Sequence, residues 1–154
     1  QVYVFDALSL IIVLEKKESS VVGQDPVTDI DLKAYGKQVF VRLKESYEQL
    51  EKKNLATLRG LLETVLKEIT TVNVVTLAAS MLVGRALYIF CQNGEVLIRR
   101  GTKVYSVLKS ERDTHSVASG LMENGDVIML VSNDLKNALS PDLKGFLVLL
   151  TSKR

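Results

Sequence analysis

Ala86-Leu87-Tyr88-Ile89-Phe90-Cys91-Gln92-Asn93-Gly94-Glu95-Val96-Leu97-Ile98-Arg99-Arg100-Gly101 is the stretch whose pattern decides the fold. Leu87–Cys91 and Val96–Ile98 are strand-length apolar runs rich in β-branched and aromatic residues. Gln92-Asn93-Gly94-Glu95 lies between them and Arg99-Arg100-Gly101-Thr102 follows; both hold the glycine that tight hairpin turns need. Val104–Leu108, Ser116–Leu121 and Val127–Val131 continue the pattern, with Asn124-Gly125-Asp126 as another turn signal. The second half of the chain therefore predicts antiparallel sheet.

Upstream the period changes. Leu32, Tyr35, Val39, Phe40, Leu43, Tyr47 and Leu50 recur at helical spacing, as do Leu55, Leu58, Leu62, Val65, Leu66 and Ile69. The linker Glu51–Asn54 is short, so these two helices should lie antiparallel as a core layer. Gly36 and Gly60 fall inside them, a costly choice that suggests close packing against neighbours. Before the helices, Leu8–Leu14 reads as a strand buried on both faces, followed by a loop through Gly23, Asp25 and Pro26 with Thr28 or Asp29 as helix cap. Val72–Val83 is an apolar run of small residues. Asn133–Ser140 suggests a short helix and Lys144–Ser152 a strand or packed tail. The order is α+β.

The 154 residues fit one domain, with 47% hydrophobic and 25% charged residues, an ordinary globular balance. The net charge is +2, and the two halves differ little: ten basic and eleven acidic residues in 1–70, ten and seven in 71–154. That balance argues against nucleic acid as a partner. The longest apolar runs, Ala7–Leu14 and Phe146–Leu150, fall far short of the roughly 20 residues of a membrane span. One cysteine rules out an intrachain disulfide and suggests a reducing, cytoplasmic setting. Residue 1 is Gln, so the chain is expected to be a fragment or a processed form.

The chemistry-bearing residues are few. One histidine excludes a His-pair metal site, and a Cys/His couple would have to be Cys91 with His115. Cys91 reads as a core residue and His115 as an exposed residue of a polar turn. No GxxxxGK[ST] or GxGxxG is present. Carboxylates at strand ends are the remaining route to a divalent cation: Glu15, Glu95, Asp126 and Asp134. Arg85, Arg99, Arg100, Lys103 and Lys109, with Tyr88 and Tyr105 nearby, would form a basic surface only if they shared a face; strand alternation puts Arg99 and Arg100 on opposite faces. A charged, solvated sheet edge is the expected outcome.

The quoted stretch resembles the paired strands of PPM-type (type 2C) metal-dependent protein serine/threonine phosphatases, in which a Gly-Asp-Ser turn joins two strands and an Arg-x-Gly turn follows. Ser119-Gly120-Leu121-Met122-Glu123-Asn124-Gly125-Asp126-Val127-Ile128-Met129-Leu130-Val131-Ser132-Asn133-Asp134-Leu135 is similar to the family segment that runs from a Gly-Asp turn into Ser-Asp-Gly-Leu. The likeness spans residues 8–140 of what would be a single 1–154 domain. It implies an antiparallel β-sandwich of two sheets with the antiparallel helix pair packed on one face.

The family holds two Mg²⁺ or Mn²⁺ ions through aspartates, and several of those positions differ here. Gln92 stands for the Gly-Asp-Ser aspartate and Asn133 for the Ser-Asp-Gly aspartate, with Asp134 in place of the next glycine. Glu15-Lys16-Lys17 replaces Asp-Gly-x-Gly-Gly, and no closing Asp-Asn pair is present. The family's N-terminal Arg and acidic pair would lie before residue 1 or be missing. A neutral amide binds a divalent ion far less well than a carboxylate. The resemblance thus implies a catalytically inactive pseudophosphatase without a cofactor, acting as a regulatory or binding module for a protein partner or a second copy of itself. Two alternatives stay open. One is a divergent active phosphatase using Mg²⁺ or Mn²⁺ on Glu15, Asp126 and Asp134. The other is an unrelated α+β interaction or scaffold module.

Overall fold

The computed structural model describes residues 2–5, 8–16 and 31–139. The chain order is β1 (Val2–Phe5), β2 (Leu8–Lys16), α1 (Leu32–Glu48), α2 (Leu55–Glu68), β3 (Val72–Val83), β4 (Ala86–Arg100), β5 (Lys103–Leu121), β6 (Val127–Ser132) and α3 (Asn133–Leu139). The fold is α+β, and every strand pair is antiparallel. The expected loop at Gly23–Pro26 and the tail at Lys144–Ser152 lie outside the described residues; the cap expected at Thr28 or Asp29 is instead Asp31, because α1 begins only at Leu32.

The helix pair forms as its apolar stripes demand. The Asp31 side chain caps α1 by accepting from the backbone N–H groups of Lys33 and Ala34. Asn54 and Thr57 form a reciprocal capping box at the start of α2. Arg42 reaches Glu68 at 2.9 Å, tying the middle of α1 to the end of α2. Leu43, Tyr47, Leu58 and Leu62 are buried and meet Leu8, Leu10, Ile12, Leu77, Met81 and Phe90 of the sheet. Each such side chain contributes about 1.5–3 kcal/mol through burial. Gly36 is buried, as expected of a close contact. Gly60 is not in one: a Cβ there would meet nothing within 4 Å. In β2 burial alternates rather than covering both faces evenly, with Leu8, Leu10 and Ile12 buried and Ser9, Ile11 and Val13 half-buried.

The six strands share one ladder, ordered β1-β2-β3-β4-β5, with β6 on β4 as well. Here the sequence expectation needs correction. Gln92–Glu95 is not a hairpin turn; β4 runs through it as a single 15-residue strand. Val104–Leu108 and Ser116–Leu121 likewise belong to one strand, β5, which also contains His115. Turns form at Gly84-Arg85, with Gly84 at φ 59, at Gly101-Thr102, with Gly101 at φ 58, and, as expected, at Asn124-Gly125, with Gly125 at φ 87.

Asn93 is where β4 changes neighbours. Before it, Ala86–Gln92 pair with β3; after it, Gly94–Arg99 pair with β6. On the other edge the β5 register jumps from His115 opposite Gln92 to Ser110 opposite Gly94, so residues 111–114 bulge out. Asn93 (φ 50) and Asp113 (φ 62) take left-handed backbone there. The sheet doubles back at this bend. Straight, the 15 residues of β4 would span about 50 Å. Yet Arg100 Nη2 donates to Leu121 O at 3.3 Å, and Leu121 pairs with Ala86 at the strand's opposite end. Leu87, Ile89 and Cys91 from one half of β4 and Val96 and Ile98 from the other consequently share a second apolar cluster with Ala78, on the face away from the helices.

Candidate functional site

The bend gathers polar groups that the sequence scatters. Asn93 is buried, and its Nδ2 donates to Val75 O at 2.8 Å. Its Oδ1 accepts from Asn133 Nδ2 at 2.8 Å, and its backbone carbonyl accepts from Thr76 Oγ1 at 3.0 Å. Asn133 Nδ2 also donates to Ser110 O at 3.3 Å. Ser110 is buried, and its hydroxyl donates to Thr114 O at 2.7 Å, closing the bulge. Gly94 must be glycine here: a Cβ would stand 2.7 Å from Val131 O. β3, β4, β5 and β6 thus meet around two side-chain amides.

The chemistry of that meeting point is neutral. Asn133 turns its NH₂ inward and spends it on two oxygens, so it presents donors where a cation needs acceptors. The Asn93 and Asn133 amides stay neutral near neutral pH and cannot activate water as a base.

The sequence-chosen residues are dispersed. Gln92, placed by the resemblance at the aspartate position, lies beside the bend; the residue that Asn133 meets is its neighbour Asn93. Gln92 instead lines a polar recess of about 450 Å³ with Asn73, Arg112 and Asp113. Glu15 is exposed opposite Asn73 near the end of β2. Asp134 is exposed in the first turn of α3, whose start is capped by the Ser132 hydroxyl accepting from Leu135 N. Asp126 sits at the far end of β6, about 20 Å of strand from Asn133. Among the described residues no three His, Cys, Asp or Glu side chains cluster as a metal site.

Asp126 does structural work. Arg100 grips it with two bonds, Nε to Oδ1 at 3.0 Å and Nη2 to Oδ2 at 2.7 Å, while Arg100 Nη1 reaches Glu123 at 2.7 Å. The Asp126 side chain is 1% exposed. The Arg100 guanidinium and the Glu123 backbone N–H hold its carboxyl below the usual range. Sequence reading also passed over the partner of Glu95. This buried carboxylate pairs with Lys136 of α3. Burial pushes its pKa up, but Lys136 and the Ser106 hydroxyl more than reverse that, and the net shift is downward.

Cys91 and His115 lie on opposite faces of the sheet. Cys91 belongs to the second cluster, and burial, with a smaller push from Glu95, raises its thiol to about 11. His115 is not in a turn. It stacks on Phe90 of the helix-facing core at 5.3 Å and meets Glu63 of α2 at 2.9 Å. The basic residues are largely spent on local partners: Arg85 on Met122 O, Arg99 on Gly101 O, Lys109 on Glu111. Strand alternation separates Arg99 from Arg100 as expected, since Leu97 and Ile98 belong to different clusters.

An apolar opening lies between the two halves of the bent hairpin. It encloses about 470 Å³ and is lined by Leu87, Ile89, Ile98, Ala118 and the exposed Tyr105 and Leu121. Leu121 is 70% exposed and Tyr105 47%. Among the described residues, β5 at this opening has a ladder neighbour, β4, on one edge only. No helix among the described residues is long and apolar enough to cross a membrane. Compared with protein-family models, curated proteins and solved structures, the chain matches none.

Proposed function

We propose that this chain is a non-catalytic, PPM-like domain whose work is to bind a protein partner or a second copy of itself. The observation that carries the reading is the 2.8 Å bond from Asn133 to Asn93. The two segments that resemble the phosphatase motifs converge there; Asn133 stands at one position where the resemblance expects a metal-binding aspartate, and Gln92, at the other, is the neighbour of Asn93. In this reading the doubled-back halves of the sheet correspond to the two layers of the family sandwich, and the helix pair covers the first. The β5 edge that has no ladder partner among the described residues, with the exposed Tyr105, Val107 and Leu121, supports binding, since exposed apolar surface of this kind marks contact sites. Titration of the metal-free chain with Mn²⁺, alongside hydrolysis of an aryl phosphate, tests it. Neither heat nor turnover is expected.

A second reading, an unrelated α+β interaction module, draws on the continuous strand β4, which joins all six described strands in one sheet. It shares the absence of metal chemistry and differs in ancestry. A β4–β5 hairpin that stays straight in solution, with no layer stacked on the second cluster, would favour it.

A further inference from the structure

The chain holds two Asn-Gly dipeptides, Asn93-Gly94 and Asn124-Gly125. In such a pair the glycine N–H can approach the preceding side-chain carbonyl carbon, because no Cβ obstructs it. The fold sets the two in opposite surroundings. Asn93 is buried with both ends of its amide bonded, to Val75 O and from Asn133. Gly94 behind it is wedged against Val131 O. Asn124 is exposed and makes no hydrogen bond among the described residues. Gly125 has φ 87, and nothing lies within 4 Å of where a Cβ would stand.

We propose that Asn124 is a site of spontaneous, backbone-assisted deamidation and that the fold protects Asn93 from the same reaction. The Gly125 nitrogen attacks Asn124 Cγ and forms a C–N bond. The bond from Cγ to the amide nitrogen breaks, and ammonia leaves with the proton Gly125 gave up. Water then adds to either carbonyl of the cyclic imide and opens it, leaving an aspartyl or an isoaspartyl linkage. Loss of asparagine amide by this route is one reason the residue counts as thermolabile.

The location gives the reaction a consequence. Asn124 sits in a turn in which Asp126 N donates to Glu123 O at 3.1 Å and Glu123 N donates to Asp126 Oδ2 at 2.8 Å. Glu123 and Asp126 are the carboxylates that hold Arg100 against Leu121. An isoaspartyl link inserts an extra backbone carbon between them, so the turn no longer aims both at Arg100, and the contact closing the bent sheet loosens.

The test ages the chain at mildly alkaline pH, natively and in urea, and follows it by peptide mass mapping with isoaspartyl methyltransferase labelling. Expected in the native chain are amide-to-acid conversion and methyl label confined to the Asn124 peptide; in urea both dipeptides react. Native conversion at Asn93 as fast as at Asn124, or an Asn124 that reacts only in urea, would overturn the proposal. The aged native chain is expected to melt at a lower temperature, and an equally aged Asn124→Gln chain to keep its melting temperature and gain no label. A fully labelled chain with unchanged melting would overturn the link to the Arg100 contact.

Discussion

Asn133 lies 40 residues beyond Asn93, and its side-chain amide donates to Asn93 Oδ1 across 2.8 Å at the point where β4 exchanges β3 for β6. One neutral bond therefore joins the bend of the sheet to the start of α3. The left-handed backbone at Asn93 suits asparagine, which tolerates positive φ better than most residues.

Substitutions at Asn93 should separate these roles. Asn93→Gly keeps the backbone free to hold φ 50 and loses only the side-chain bonds, at a cost of about 1–3 kcal/mol for the polar groups left unpaired. Asn93→Ala loses both and should be less stable than Asn93→Gly by about 1 kcal/mol. Urea unfolding midpoints give the order.

Two glycines should respond with opposite sign. At Gly94 a Cβ would strike Val131 O at 2.7 Å, a backbone atom that cannot swing away, so Gly94→Ala should destabilise by about 1–3 kcal/mol. At Gly60 the space is open and the backbone helical, so Gly60→Ala should stabilise by up to about 1 kcal/mol. Thermal melting of both variants beside the parent checks this.

Acid should release the Arg100 contact. The Asp126 pKa is depressed in the fold, so its contribution is full above the ordinary carboxylate pKa of about 3.9 and is lost as pH falls through its lower folded value. Asp126→Asn should be less stable at neutral pH and show a flatter loss on acidification. Unfolding midpoints measured across the acid range test the sign.

Cys91 should be inert in the native chain. Burial raises its thiol to about 11, so little thiolate forms near neutrality and reagent has no access. A disulfide reagent should label it in urea and leave it untouched in buffer.

The helix pair was legible because its signals are local. The residues of each apolar stripe lie within one or two turns of one another, and the linker Glu51–Asn54 between the helices is short. The bend was not, because Asn93-Gly94 has the composition of a hairpin turn and becomes one or a bulge according to which strands arrive beside it. β6 comes from more than thirty residues downstream, and nothing near Asn93 announces it. The same long-range pairing explains His115: its polar neighbours suggest a loop, while its ring is placed by Phe90 and Glu63 from elsewhere in the chain. For the site, the sequence singled out Asn133, which the fold brings to the bend, but set Gln92 opposite it where the fold uses Asn93. In a strand such a one-residue shift moves a side chain to the other face.

Calorimetric titration of the metal-free chain with Mn²⁺, run beside aryl phosphate hydrolysis, bears most directly on the central claim. With amides at the meeting point of β3, β4, β5 and β6, no binding heat and no turnover are expected. Micromolar Mn²⁺ binding, with a turnover that Asp134→Ala abolishes, would contradict the account and make this chain a working phosphatase.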